Sequence, residues 1–327
     1  MSAELGTLAL SLLALLGFGV LTSLGSALAW PALERSLRGS HPAQRARWLF
    51  AFATAATWLP LLLLCLCLAP GFLALIGVSQ DHCLRQSDRA HLCFAHPRLA
   101  LSLPLGIVLS AAIAVLVAGG VRGARRLARW HDELSGLGLA GGVSLASGAR
   151  RIDSPRPFSV TLGLWRPEIW VSSALVEALP SAQLEIVVEH ERAHVRRRDS
   201  LRRLVAAVLS RPHLPIVRRR VLAELALACE EACDESAARL GDRLAVAETV
   251  LAVERLIAQA TPHPSLVGFG DGGVAERVRS LLEPAPAEPA SALHWWLGSA
   301  LAIGAMWLAH PLHHLTERWL GWLLSVL

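Results

Sequence analysis

Residues 184–199 read LEIVVEHERAHVRRRD, and the spacing of His190, Glu191 and His194 within them decides how the rest of the chain is read. The apolar Leu184, Ile186, Val187 and Val188 followed by a polar run predict a buried helix, opening at Pro180 and Ser181 and ending at Asp199. On a helix, positions i and i+4 lie on one face, so both imidazoles of an H-E-x-x-H pattern point the same way and can bind one metal ion. Glu191 projects beside that pair, where a carboxylate can serve as general base. A zinc ion lowers the pKa of the water it activates from about 15.7 to about 7, so a carboxylate suffices to take the proton.

A zinc site that does chemistry has three protein ligands and one open position. The third ligand is expected from a later helix, and residues 217–240, VRRRVLAELALACEEACDESAARL, supply one. Glu230 can ligate, and Asp234, four residues on and on the same face, can hydrogen-bond a ligand imidazole from behind. Asp199 is a second supporting candidate, although it could equally be a helix-end residue paired with Arg196 to Arg198. Taken alone, Glu230, Glu231 and Glu235 would read as a solvated acidic face. Coupled to an upstream H-E-x-x-H, Glu230 reads as a ligand. Cys229 and Cys233 flank it and are alternative thiolate donors.

The composition excludes an ordinary soluble protein: 54% of residues are hydrophobic and 17% charged, with a mean hydropathy of +0.46. The net charge of +5 is carried by arginine, since the sequence has no lysine. These arginines flank apolar spans, where membrane topology places them, so direct nucleic-acid binding is not expected. Uncharged spans run over 5–30, 48–78 and 99–121, each long enough to cross a bilayer. Arg35, Arg38, Arg45 and Arg47 follow the first span, and Arg122, Arg125, Arg126 and Arg129 follow the third. Both loops are therefore expected inside, with the N-terminus and the 79–98 loop outside. That outer loop holds Cys83 and Cys93, which can form a disulfide in an oxidising exterior or join His82, His91 and His96 at a metal.

Domain boundaries follow. Residues 1–121 form a membrane domain, and residues 122–290 form a cytoplasmic domain with the metal site. Residues 291–327 hold a fourth span at about 292–309 and an amphipathic tail at the interface. Within the central domain Val143–Ala146, Phe158–Thr161 and Glu168–Ser172 read as short strands. An exposed edge of that small sheet could hold an extended peptide by strand addition. The fold class is thus a mainly α membrane protein with four transmembrane helices and a cytoplasmic α+β, zincin-like domain.

The stretches SPRPFSVTLGLWRPEIWVSSAL (154–175), HERAHVRRRD (190–199) and EEACDESA (230–237), set after three spans and before a fourth, resemble the BlaR/MecR family of membrane zinc metallopeptidases. The HtpX-type membrane proteases are a more distant likeness. The resemblance implies that His190, His194 and Glu230 bind one Zn2+ per chain and that Glu191 is the catalytic base. It also implies a multi-pass protein of the bacterial inner membrane that cleaves a peptide or protein, namely itself or a cytoplasmic transcriptional repressor, in signal transduction. Two other functions stay open: a housekeeping protease of membrane-protein quality control, and a non-catalytic receptor or scaffold whose zinc only holds the fold. The penicillin-sensing members carry a large extracellular domain with a serine nucleophile and a lysine after the fourth span. Here the sequence runs only to Leu327 without lysine, so β-lactam acylation is not expected. The chain also has no tyrosine, which leaves His213, Arg239 or Arg243 to steady a developing oxyanion.

Overall fold

The computed structural model describes residues 2–77, 118–119, 121–123, 125, 143–145, 147–239, 242–260, 273–283, 309 and 311–323. Two long helices, α1 (Ser2–Leu37) and α2 (Pro42–Leu75), are joined by a tight turn. Trp30 and Leu37 of α1 pack with Ala46 and Leu49 of α2, while Leu10 and Phe18 pack with Cys67, so the helices run antiparallel. The second helix starts where His41 Nδ1 accepts the Ala43 N–H at 3.3 Å and Pro42 occupies the first turn, a position that needs no amide proton. Ala9–Leu37 and Pro42–Leu75 are both long and apolar enough to cross a membrane. These two helices contain most of the first two predicted spans, and α2 continues through Pro60 and Pro70. The predicted third and fourth spans lie outside the described residues except at their ends, as do Cys83, Cys93 and the 284–290 linker. The predicted amphipathic tail is helical over 311–323 and buries His313, Thr316 and Leu320 against the hairpin.

The polar part of the chain builds on a four-stranded sheet. Strands β1 (Val143–Ser144), β2 (Arg150–Ile152), β3 (Ser159–Leu162) and β4 (Glu168–Ser172) lie in the order β1-β2-β4-β3. The β2–β4 pair is parallel and the other two are antiparallel. Strand β2 was not expected from the sequence: Arg150 and Arg151 break apolar alternation, and both are half-buried through ion pairs with Glu168 and Glu177. The β3–β4 turn depends on Gly163 at φ +103°, where an added Cβ would lie 2.6 Å from the Arg166 carbonyl oxygen.

Helices α3 (Ser173–Ala178), α4 (Ser181–Arg197), α5 (Asp199–Leu209), α6 (Pro215–Ala237), α7 (Arg243–Ala260) and α8 (Val274–Leu282) complete the described fold. The apolar face of α4, Val187 and Val188, covers Ile169 and Val171 of β4 together with Leu175 and Leu179. The α6 helix lies across the end of the hairpin, where Val217, Val221, Leu225 and Ala228 pack with Trp30, Ala46, Leu49 and Ala53. Small residues at Ala46, Ala53, Ala206 and Ala228, each at most 2% exposed, allow those helices to approach closely. His213 in the α5–α6 turn fastens this junction, with Nδ1 2.8 Å from Ser26 Oγ and Nε2 3.1 Å from the Phe52 carbonyl oxygen.

The α4–α5 corner is one residue long. Arg198 sits in the left-handed region at φ 53°, and its N–H bonds back to the carbonyls of His194 and Val195. This corner brings Asp199 directly under His194. Because an L side chain in that conformation costs about 1 kcal/mol relative to glycine, and the Arg198 side chain is exposed, Arg198→Gly is expected to stabilise the protein by about that amount. Thermal unfolding of the detergent-solubilised protein measures this, and an unchanged or lowered midpoint would show that the corner is not under backbone strain.

Candidate metal centre

His190 and His194 project from one face of α4, their rings edge to face with centroids 4.9 Å apart. Glu230 reaches them from the middle of α6. Its Oε2 lies 3.4 Å from His190 Nε2 and 3.7 Å from His194 Nε2. Three ligands at bond lengths of about 2.0–2.1 Å around a tetrahedral ion stand about 3.3 Å from one another. The observed separations fit such an ion, and the trio is one of the His/Cys/Asp/Glu groups able to hold one.

The other ring nitrogens decide which atoms are offered. His190 Nδ1 is 2.8 Å from Asp234 Oδ1, and His194 Nδ1 is 3.0 Å from Asp199 Oδ2. Ionised carboxylates only accept, so each Nδ1 carries a hydrogen, and both Nε2 lone pairs are left facing Glu230. Asp234 and Asp199, predicted as supporting residues, are each 1% exposed and are fixed in turn. Arg277 of α8 grips Asp234 with two bonds of 2.7 Å, from Nε to Oδ2 and from Nη2 to Oδ1. Arg197 Nε and Arg202 Nη1 donate to Asp199 at 3.1 and 3.0 Å. Asp199 thus touches both His194 and Arg197 of the arginine cluster.

The electrostatics follow from this arrangement. Burial opposes charging of the Asp234 and Asp199 carboxyls, but Arg277 and His190 hold the first below its ordinary range, and His194 and Arg197 do the same for the second. Burial also opposes charging of Glu230, and the two imidazoles outweigh it, holding that carboxyl well below its usual value. The imidazoles respond in the opposite sense. Burial disfavours their protonation, yet Asp234 raises His190, and Asp199 with Cys233 and Glu230 raises His194 well above the ordinary value. The pocket attracts positive charge, whether a proton or a metal.

Cys233 Sγ lies 3.3 Å from His194 Nδ1, but burial pushes its thiol up to about 12 despite the neighbouring His194. Burial raises Cys229 as well. Cys233 faces the Nδ1 side of His194, away from the Nε2 atoms, so Glu230 is the third donor on this face. The adjacent Glu231 points away: it pairs with Arg45 of α2, and burial, only partly offset by that arginine, lifts it to about 7.

Glu191 lies beside the histidines, 6% exposed, with both carboxylate oxygens engaged. Ser159 donates to Oε1 at 2.9 Å and Thr161 to Oε2 at 2.8 Å. Alternation along β3 puts these two hydroxyls on one face, a signal present in the sequence but passed over. Arg277 was missed for a different reason, since a single arginine on a short amphipathic helix carries no mark of its partner. Two of the three oxyanion partners expected from the sequence, His213 and Arg243, are occupied elsewhere. His213 is at the hairpin junction, and Arg243 bonds Glu235 and the carbonyls of Ser280 and Leu281. The cations beside the site are Arg203, 3.6 Å from Glu230 Oε1, and Arg277, 3.8 Å from Oε2.

An imidazole pair and a carboxylate on two helices, with a buried glutamate alongside, form a group that could hold a metal ion next to a proton acceptor. Residues 143–280, somewhat under half of the chain, match the family model described as BlaR1 peptidase M56, a metallopeptidase family, and His190, Glu191, His194, Asp199, Glu230, Asp234 and Arg277 all fall inside the match. No curated protein and no solved structure matches the chain.

Arg277→Met keeps the bulk of α8 but releases Asp234, and is expected to weaken metal affinity by about 10–100-fold, measured by competition with a chromophoric chelator. Affinity equal to wild type would mean that Asp234 needs no clamp. The raised imidazoles also set a pH dependence. Their stabilising effect is complete below about pH 6.5, the value of an unfolded histidine, and is lost as pH rises through their folded values. Metal-free protein should therefore melt at lower temperature at pH 9 than at pH 6.5, while metal binding, which displaces the same protons, strengthens over that interval. A metal-free midpoint that rises with pH would contradict this.

Proposed function

We propose that the chain is an integral membrane zinc endopeptidase whose catalytic domain, residues 122–290, faces the cytoplasm, with the N-terminus outside and four spans in the bacterial inner membrane. The observation that carries this reading is the convergence of His190 Nε2, His194 Nε2 and a Glu230 oxygen beside the buried Glu191, within a segment that matches a peptidase family. His190, His194 and Glu230 would hold the ion. When bound, zinc supplies Lewis acidity that polarises a peptide carbonyl and makes a water acidic enough to lose a proton to a carboxylate.

The chain's own residues do the rest. Glu191 takes the proton from the attacking water and returns it to the leaving amine. Ser159 and Thr161 fix the rotamer of that carboxylate, so the proton acceptor is in place before substrate arrives. Asp234 and Asp199 hold the two rings in the tautomer that offers Nε2. Arg203, whose side chain is 39% exposed, is the cation best placed to face the developing oxyanion, in place of the residues favoured from the sequence. The β3 strand pairs with β4 on one edge only among the described residues, which leaves the other edge for an extended substrate.

Regulatory cleavage of a cytoplasmic repressor, or of the chain itself, is the substrate reading favoured here over quality control. Its support is the docking of α6, the helix of Glu230, on the α1–α2 hairpin through Arg45 and Glu231, which connects the membrane part to a ligand-bearing helix. Glu191→Gln is expected to retain metal and fold while losing cleavage of a reduced casein reporter and of the chain itself by at least about 100-fold, the scale of a lost general base. His190→Ala is expected to lose the metal. Casein cleavage by Glu191→Gln at the wild-type rate would remove the general-base assignment.

A further inference from the structure

A cavity of about 540 Å³ lies where the turn of the α1–α2 hairpin meets α6 and α8. Its size is that of a small-molecule site, which commonly spans about 300–1,000 Å³. Three residues in its wall carry a buried polar atom with no hydrogen-bond partner: Trp30 at Nε1, Arg45 at Nε and Glu276 at Oε2. Trp30 is 3% exposed, its ring is fixed against Phe52 with centroids 5.8 Å apart, and its N–H can only donate. Arg45 gives Nη2 to Glu231 and keeps Nε–H unused. A buried polar group without a partner is costly and uncommon. Two donors and a carboxylate oxygen left over around one cavity call for an occupant that supplies the missing partners.

The charges around the cavity say what kind of occupant. Glu34 of α1 pairs with Arg38, and Glu231 of α6 pairs with Arg45. Among the described residues, Glu224 of α6, Glu276 of α8 and Glu283 just beyond it have no ion pair, and the remaining guanidinium in the wall is Arg279. Three carboxylates against one guanidinium leave an excess of two negative charges, which favours a cation. A bare metal cation would leave the Trp30 and Arg45 donors unanswered, and a simple anion would add to the repulsion. A molecule that joins cationic nitrogens to an acceptor oxygen answers both demands.

We propose that this cavity binds a small cationic amino compound that also presents a carboxylate, of the class of a free basic amino acid. Its carboxylate accepts from Trp30 and Arg45, and its cationic nitrogens meet Glu276 and Glu224. Glu276 and Arg279 flank Arg277, whose guanidinium grips Asp234, so the wall of this cavity and the support of the metal centre share one short helix. The site does not depend on peptidase activity.

The test titrates L-arginine into the full chain in detergent and follows the heat of binding, with one molecule bound per chain expected. Glu276→Gln and Glu224→Gln keep side-chain shape and remove one negative charge each. Each is expected to weaken L-arginine binding by about 10-fold or more, the scale of a lost hydrogen bond to a charged group, without lowering the unfolding temperature of the unliganded protein. Agmatine, which keeps two cationic groups and lacks the carboxylate, is expected to bind about 10-fold more weakly than L-arginine. The double variant His190→Ala/His194→Ala is expected to bind L-arginine as wild type does, which separates this site from the metal centre. The proposal is overturned if wild type gives no saturable heat, if both glutamine variants bind L-arginine as tightly as wild type, or if agmatine binds as tightly as L-arginine.

Discussion

Both imidazoles of the candidate centre donate their Nδ1 hydrogens in hydrogen bonds to buried carboxylates, and the remaining chemistry depends on that constraint. A free histidine divides its hydrogen between two nitrogens and rotates. Asp234 and Asp199 remove both freedoms, so two lone pairs converge on the Glu230 oxygen at metal-ligand spacing. The arrangement is stable because each carboxylate has its own cations, Arg277 for one and Arg197 with Arg202 for the other. Buried carboxylates without such partners would protonate and release the rings.

The α6 helix is polar on two sides for two purposes. Glu230 and Asp234 turn toward α4, and Glu231 turns toward Arg45 on α2. Apolar residues between them, Val221, Leu225 and Ala228, rest on the hairpin. A cavity of about 540 Å³ opens beside the Arg45–Glu231 pair, between the hairpin turn, α6 and α8. A shift of the hairpin against α6 would therefore act on the helix that bears Glu230 and on α8, which bears Arg277.

The small sheet has a related task. Its inner strands form a floor for α4 through Ile169 and Val171, while the edge strand β3 reaches the site with side chains. Ser159 and Thr161 hold Glu191, and Thr161 also bonds the backbone carbonyl of Glu191 at 3.1 Å. One strand thus positions a carboxylate and leaves a backbone edge beside it.

Local spacing was enough to determine much of this. The i, i+4 histidines, the glutamate between them and the E-x-x-x-D pair on a later helix were legible because each depends only on helical period, and the two helices long and apolar enough to cross a membrane because they depend only on length and apolarity. Strand β2 was not legible, since its arginines satisfy themselves with Glu168 and Glu177 rather than by alternation. Nor could the sequence say that Glu231 turns to Arg45, that Arg277 clamps Asp234, or that His213 belongs to the hairpin junction. These are contacts between residues far apart in the chain, and adjacent carboxylates on a helix differ only in the direction that packing gives them. Periodicity fixed which side chains share a face; only tertiary packing chose what each face meets.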